Sequence, residues 1–109
     1  MANTFKLKTK ANVGVSTVGI YTAPAATTTV VIGITISNTS GYGVNVGVGI
    51  TRPGTTEDVK LLKNAPIPQG SSLEFMGGNK VVLETTDTLT VDSDTNNSVD
   101  AALTIMEIT

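Results

Sequence analysis

Hydrophobic residues recur at every second position in several short stretches of this sequence, and this period constrains the fold most. In residues 44–50, the branched residues Val44, Val46, Val48 and Ile50 alternate with polar residues or glycine. A period of two places them all on one face of a β-strand, whereas a helix needs a period of 3.6. The chain is rich in threonine, valine and glycine, which also favours strands over helices. The sequence therefore predicts an all-β protein with no substantial helix.

Turn signals separate these stretches at nearly regular spacing. The segment "SNTSG" at residues 37–41, the Pro-Gly pair at residues 53–54 and "GGN" at residues 77–79 each predict a turn. Short strands bounded by such turns favour two packed antiparallel sheets. We therefore predict one domain over residues 1–109, an antiparallel β-sandwich or jelly roll of about eight short strands. Residues 1–10 are a candidate contact strand or arm of that domain.

Two local predictions concern the middle of the chain. In residues 64–72, Pro66 and Pro68 lack the N–H that a strand ladder needs, so we expect a rigid extended connection outside the ladder. Residues 73–76 and 80–84 are expected to be neighbouring strands that the turn at residues 77–79 joins as a hairpin.

The N-terminal strand alternates between apolar and basic side chains. Phe5 and Leu7 belong to the face that we expect to be half-buried, and Lys6, Lys8 and Lys10 belong to the face expected outside. A lysine stripe on a strand discourages edge-to-edge pairing between molecules. Docking of the same stripe on an acidic partner surface is the functional alternative.

The stretch around residues 44–50 predicts two unlike faces. One face carries valine and isoleucine, and the other is nearly bare because Gly47 and Gly49 have no side chains. Glycine in a strand is often found where another backbone comes close, which here would be a second sheet or a neighbouring subunit. The alternative is that these glycines only permit twist or a bulge.

Charge is sorted along the chain although the net charge is only −2. Residues 1–56 contain four basic residues and no acidic one, and residues 81–109 contain six acidic residues and no basic one. One interpretation is that the two ends of the chain meet in the folded sheet and pair. The other is that the asymmetry steers copies of the chain toward each other or toward a partner.

The segment "DSDTNNSVD" at residues 92–100 has acids and amides at alternate positions, as in a calcium loop. An EF-hand loop also needs a glycine and a final glutamate, but Asn97 and Leu103 stand at those positions. We instead predict a β-hairpin with a three- or five-residue loop, in which an asparagine takes the left-handed position. Its second strand is expected over residues 99–108, with Val99, Ala101, Leu103 and Ile105 facing the core. Asp100 would then face Asp92 or Asp94, and a weak cation or a partner's lysine would relieve the repulsion.

Several kinds of chemistry lack their residues. The chain has no cysteine, histidine or tryptophan, so thiolate metal sites, imidazole-based catalysis and tryptophan-lined sugar sites are excluded. Few aromatic residues and a negative net charge disfavour nucleic acid as a partner. The longest apolar run, residues 30–36, is too short to span a bilayer. We expect it to be the central core strand, in which Val30, Ile32, Ile34 and Ile36 alternate without interruption with Val31, Gly33 and Thr35. We expect a soluble non-enzyme with no cofactor, no membrane association and no classical export signal.

Three stretches carry a family resemblance: "IYTAPAATTTVVIGITISNTSG", "APIPQGSSLEFMGGNKVVLETTDTLTV" and "NNSVDAALTIMEIT". Together they resemble small virion structural proteins of tailed bacteriophages, especially those of cyanophage type. The resemblance covers nearly the whole chain and rests on strand and turn patterning. It implies a β-rich subunit present in many copies on the virion, as a capsid decoration protein or a neck or tail component. It brings no functional residues with it.

These observations predict a capsid decoration subunit that stabilises a shell by binding across subunit boundaries. Its expected partners are other virion proteins and further copies of itself. The alternatives are a neck, tail or fibre component, or a glycan-recognising module with a pocket lined by Tyr21 or Tyr42. The residues predicted to contact a partner are Phe5, Lys6, Leu7, Lys8, Lys10, Tyr42, Gly47 and Gly49.

Overall fold

Strands dominate the structure, a computed structural model that describes residues 3–75 and 81–109, with the backbone alone for residue 75. Those two ranges contain nine strands and no helix, and hence no helix long and apolar enough to cross a membrane. The strands are β1 (Asn3–Val13), β2 (Val18–Thr22), β3 (Thr28–Asn38), β4 (Val44–Arg52), β5 (Glu57–Ile67), β6 (Ser72–Phe75), β7 (Val81–Leu83), β8 (Thr88–Ser93) and β9 (Val99–Ile108).

The nine strands form two antiparallel sheets. The first sheet has the order β1-β9-β3-β6, and β7 also pairs with β3. The second sheet has the order β2-β8-β4-β5. Apart from the β4–β5 hairpin and the step from β6 to β7, each strand is followed by a strand of the other sheet, which is the order of a jelly roll. The prediction of an all-β antiparallel sandwich is confirmed.

The inner faces of the two sheets form the core. The predicted core faces of β4 and β9 are confirmed, because their apolar residues at alternate positions are buried. Each side chain that points inward packs against the opposite sheet, so the period of two in the sequence becomes the sandwich interior. The largest fully buried side chains are Ile34, Ile36, Ile67, Leu83, Leu89, Leu103 and Ile105.

A bulge in β3 changes which residues of this strand face the core. The pairing of β3 with β9 shifts between Val31 and Gly33. Val31 is buried before the shift and Ile34 is buried after it, so the inward positions change from odd to even numbers. The expectation of uninterrupted alternation through residues 30–36 is wrong for this reason. Ile32 lies at the shift and stays partly exposed on the outer face.

The first part of the proline segment belongs to a strand, which corrects the prediction for residues 64–67, whereas residues 68–71 lie outside the strands as predicted. β5 continues to Ile67, and Pro66 lies opposite Asn45 of β4 in the ladder. β5 is the last described strand of the second sheet, and one row of its backbone groups has no neighbour among the described strands. A missing N–H on that side removes no ladder bond, so proline is tolerated.

The predicted hairpin between residues 73–76 and 80–84 is also wrong. β6 and β7 both pair antiparallel with β3, one after the other, and therefore run in the same direction. The turn predicted at residues 77–79 lies outside the residues that the structure describes.

The predicted hairpin around residues 94–98 does not form. β8 belongs to the second sheet and β9 to the first, so the intervening loop crosses the end of the sandwich. Ser93 and Ser98 meet there through buried hydroxyls 2.6 Å apart. Asn97 has a φ of 49°, so one asparagine of this loop does take the left-handed conformation.

The three acids of this segment find separate partners within the chain. Asp100 Oδ1 accepts a hydrogen bond from the backbone N–H of Asn12 at 2.9 Å. Asp94 Oδ1 accepts one from the N–H of Asn45 at 3.1 Å. Asp92 Oδ2 lies 3.7 Å from Lys60 Nζ. The expected repulsion between facing acids is therefore absent, because the strands that carry them are in different sheets.

The packing of β9 predicts the effect of two neighbouring substitutions. Leu103 is fully buried and Thr104 is exposed on the other face of the same strand. Leu103→Ala should reduce the free energy of unfolding by about 2–5 kcal/mol because it leaves a cavity. Thr104→Ala, the matched control, should change it by less than about 0.5 kcal/mol. Urea titration followed by circular dichroism measures both, and equal effects would contradict the assigned faces.

Candidate contact surface

The two faces of β1 are the reverse of the prediction. Lys6 and Lys8 lie opposite Ile105 and Leu103 of β9, both of which are fully buried, so the lysines are on the core-facing side. Phe5 and Leu7 point to solvent. The long lysine stems can follow the inner face to its rim and bring the ammonium groups to water, because β1 is the edge strand. The expectation of an outward lysine stripe is wrong.

A polar cluster closes the gap between the sheets beside β1. Lys6 Nζ lies 2.8 Å from Oε1 of Glu107, and the Tyr21 hydroxyl donates to Oε2 of the same carboxylate at 2.5 Å. The Tyr21 hydroxyl is also 2.8 Å from Oγ1 of Thr29. Tyr21 is in the second sheet and the other three residues are in the first. The cluster therefore links the sheets through a nearly buried carboxylate.

The contacts of this cluster fix its protonation. The hydrogen bonds from Lys6 and then Tyr21 hold the pKa of Glu107 below its ordinary value, against the opposing effect of burial. Burial, followed by the hydrogen bond to Glu107, raises the pKa of Tyr21 to about 12. Glu107 is thus an anion and Tyr21 a neutral donor at neutral pH. Tyr21 is also buried, so it cannot line an open glycan pocket, and Tyr42 is the tyrosine that remains for that alternative.

An apolar row crosses the outer face of the first sheet. Phe5 lies opposite Met106, Met106 lies opposite Val30, and Val30 lies opposite Val82, so the row spans β1, β9, β3 and β7. Phe5 is 69% exposed and Leu7, one row away, is 65% exposed. We call this surface the outer patch. It consists of Phe5, Leu7, Val30, Ile32, Val82, Met106 and Ile108.

The face that carries the outer patch has few charges. On β1, β3 and β9, Asp100 is the outward-facing charged residue, and it lies beside Ser37 at the far end from Val30. Beside the patch is a depression of about 380 Å³ whose lining includes Gly33, Ala102 and Glu74 of β6, a second charged residue of this sheet face. Contiguous exposed apolar surface of this kind marks interaction sites in water-exposed proteins. This face is the candidate contact surface.

The glycines of β4 do not create a bare face. Both are buried: a Cβ at Gly47 would lie 2.5 Å from Asp92 Oδ1, and one at Gly49 would lie 2.8 Å from the carbonyl oxygen of Val59. The prediction of an uncovered face is wrong, because atoms of the adjacent strands occupy it. The pairing of β4 with β5 shifts at Val48, which supports the alternative that the glycines accommodate a bulge.

Tyr42 is exposed at the other end of the sandwich. Its side chain is 79% accessible, and its carbonyl accepts a hydrogen bond from Nδ2 of Asn38, the last residue of β3. Val30 of the outer patch is eight residues earlier on the same strand, which corresponds to roughly 26 Å. The structure therefore brings Phe5 and Leu7 together and leaves Tyr42 apart from them.

Sequence reasoning missed the residues that complete the outer patch. Met106, Val30 and Val82 join Phe5 only through strand pairing between distant parts of the chain. Their shared signal is an apolar residue on the strand face opposite the core, which alternation alone cannot distinguish from a core position.

Ion pairs join the basic and acidic parts of the chain. Besides Lys6 and Glu107, Arg52 pairs with Glu84 and lies 3.2 Å from Oδ2 of Asp87. These contacts confirm that the two ends meet in the fold. Within residues 3–75 and 81–109 there is no cluster of three or more acidic residues that would hold a metal ion.

Comparison with known proteins adds information about the fold. No protein family matches the sequence, and no curated protein is significantly similar to it. A chain from Bacillus endospore appendages, which form disulfide-linked pili, is 13% identical with a TM-score of 0.57. The match covers 99% of this chain and 87% of that one.

A second similar structure is a chain of the T13 viral particle of IBDV. It is 12% identical, with a TM-score of 0.57 over 96% of this chain. The present chain spans 30% of the length of that protein. At these identities the two likenesses show a shared sandwich fold.

The buried phenol gives a spectroscopic prediction. The Tyr42→Phe variant keeps Tyr21 as its single tyrosine. Its phenolate absorbance should appear with a midpoint at about pH 12 in the folded protein and at about pH 10 in denaturant. Because the folded pKa is the higher one, the stability contributed by neutral Tyr21 is complete below about pH 10 and declines as the pH rises toward 12. A folded-state midpoint near 10 would contradict the burial.

The carboxylate gives the opposite dependence at acid pH. The folded pKa of Glu107 is lowered, so its contribution is complete above the unfolded pKa of about 4.3 and is lost as the pH falls through the lower folded value. Glu107→Gln should therefore flatten the decline in unfolding free energy below about pH 4.3. Glu74→Gln, at an exposed position on β6, is the control and should leave the decline unchanged. Denaturant titrations at several pH values would measure this.

Proposed function

We propose that this protein is a non-enzymatic structural subunit that binds to a larger particle through the outer patch. In its most specific form, it is a capsid decoration subunit of a tailed-phage virion. The observation that carries the proposal is the exposed apolar row on a sheet face with few charges. The free energy falls when another protein covers such a face, because apolar surface is removed from water.

The known structures with this fold support an assembling subunit. One comes from pili and the other from a viral particle, and both are built from many protein copies. The virion resemblance of the sequence agrees with the second. None of the 109 residues is a cysteine, so these residues cannot form disulfide links like those of the endospore pili. The proposed binding therefore rests on surface contacts and not on disulfides.

The size of the patch predicts weak binding for each contact. Full burial of a phenylalanine or leucine side chain contributes about 1.5–3 kcal/mol. Association costs at least about 4 kcal/mol in lost translational and rotational freedom. The free energy gained by burying Phe5, Leu7 and their half-buried neighbours exceeds this cost by a small margin. A subunit of this kind therefore benefits from a second contact.

Tyr42 supplies a second contact region in this proposal. It is at the opposite end of the sandwich from Phe5, so one copy can reach two neighbouring shell subunits. A protein that binds the assembled shell and not the free subunits stabilises the shell by mass action. A neck, tail or fibre position uses the same contacts on a different part of the particle.

Particle binding by a double variant tests the proposal. Phe5→Ser together with Leu7→Ser removes the two most exposed side chains of the outer patch and should preserve the fold, because neither is in the core. Val15→Ser, at an exposed apolar residue in the β1–β2 loop, is the control. Each protein is added to virions that lack it, and the bound fraction is measured after sedimentation.

The double variant should lose at least about tenfold in affinity, which corresponds to about 1.4 kcal/mol, while the control binds like the wild type. Circular dichroism should show that all three proteins are folded. Equal binding by the double variant would overturn the role of the outer patch. Absence of the protein from purified virions, measured by mass spectrometry, would overturn the virion location.

A further inference from the structure

The four sheet edges of the described chain differ in how they are protected. β2 has five residues, and the edge formed by β6 and β7 consists of pieces of four and three residues. β5 contains Pro66 and two register shifts. Short strands, proline and irregular pairing all discourage the addition of another strand. β1 has none of these features, since it has eleven residues and contains no proline or glycine, so its protection rests on its inward-facing lysines.

β1 is regular enough to template a further strand. Residues 3–10 pair with β9 without interruption, and a shift occurs only between Lys10 and Val13. On its other side, β1 pairs with no described strand. The backbone N–H and C=O groups that point away from β9 therefore form a straight row of donors and acceptors.

We propose that the free edge of β1 binds an extended segment of another protein as an added strand, and that this segment carries acidic residues opposite Lys8 and Lys10. The inference deepens the proposed function and rests on it for the source of the segment, another protein of the same particle. Main-chain hydrogen bonds supply affinity in such strand addition, and side chains at alternate positions supply specificity.

The charges along β1 indicate an acidic partner. Lys6 is neutralised by Glu107. Lys8 Nζ lies 6.0 Å from the centre of the Tyr21 ring, and Lys10 is exposed. Neither Lys8 nor Lys10 forms an ion pair with a carboxylate in the described part of the chain. Two positive charges two residues apart on one strand face match two acids two residues apart on an added strand.

The same charges disfavour a second copy of the chain at this edge. Two β1 strands can pair with their core-facing sides aligned only if even-numbered residues face even-numbered residues. Lysines of one copy would then lie opposite lysines of the other, and like charges directly opposite are destabilising. The lysines therefore disfavour binding of a second β1 strand and favour binding of an acidic segment. Repulsion of the wrong partner contributes to specificity in this way.

The other face of the added strand would extend the outer patch. Residues between the acids would point outward beside Phe5 and Leu7, where apolar side chains find apolar neighbours. The expected segment therefore alternates acidic and apolar residues over the length of β1.

Peptide binding to the full-length protein tests this proposal. The probe is a peptide of about ten residues in which glutamate and valine alternate. Four comparison peptides are used. One replaces glutamate by lysine, one groups the glutamates at one end, and two carry N-methyl groups on alternate backbone nitrogens, so that in each of these two a different edge cannot donate hydrogen bonds. Titration calorimetry measures the affinities, and hydrogen exchange measures protection of the β1 amides.

The alternating acidic peptide should bind at least about tenfold more tightly than the lysine and grouped peptides. One of the two methylated peptides should not bind, because its methyl groups block the N–H groups that face β1. The unmethylated alternating peptide should slow exchange at every second amide of β1. Lys8→Glu with Lys10→Glu should reverse the preference toward the lysine peptide. Lys63→Glu, at an exposed position on β5, is the control and should leave the preference unchanged.

Several results would overturn the inference. Equal binding of the grouped peptide would show general charge attraction, and equal binding of both methylated peptides would show that no strand is added. Light scattering that detects a dimer which the peptide dissociates would show that a second copy occupies the edge. Loss of peptide binding with virion binding intact overturns this inference alone. Peptide binding by a protein absent from virions overturns the proposed function alone.

Discussion

The position of β9 between β1 and β3 is the constraint on which the rest of the first sheet depends. Its inward residues fill the core, and Glu107 near its end holds Lys6 and Tyr21. The same strand provides Met106 at the centre of the outer patch. The core, the inter-sheet link and the candidate contact surface thus share one strand, and they are separated only by which face each residue occupies.

The lysines of β1 combine two effects that the sequence presents as alternatives. Because they lie on the core-facing side, Lys6 completes the cluster with Glu107 while Lys8 and Lys10 keep positive charge at the rim. A charge on the inner side of an edge strand is one way in which sheets avoid pairing with each other. Because the lysines of β1 face inward, its outward side carries Phe5 and Leu7 and stays apolar. Lysines on the outward side would have made that side polar.

Much of the fold follows from the sequence. The bounds of β9 and the buried faces of β4 and β9 are those that the alternation predicts. Alternation cannot decide between two arrangements of the strands that place the same residues in the core. Leu89 and Leu103 both face the core whether their strands are hairpin partners or belong to opposite sheets, so the sequence around residues 94–98 could not decide between them.

The candidate contact surface was less predictable for the same physical reason. Phe5 and Leu7 alternate with lysine just as core residues alternate with polar ones, so the pattern assigns them to the interior. The edge position of β1 reverses this assignment, and that position depends on pairing with a strand at the far end of the chain. The bulge after Val31 was also not predictable, because nothing in residues 30–36 marks where the inward-facing positions change from odd to even numbers.

The central place of β9 also affects how the chain folds. Phe5 and Met106 are neighbours in the sheet, although almost the whole chain separates them in sequence. Loops of this length close slowly, and pairings between distant segments make folding slow. During synthesis, β1 and β3 must wait for residues 99–108 with their ladder groups open to other nascent chains. In that interval the closely spaced lysines of β1 repel the same segment of another chain. They therefore protect the incompletely folded chain against pairing with another copy.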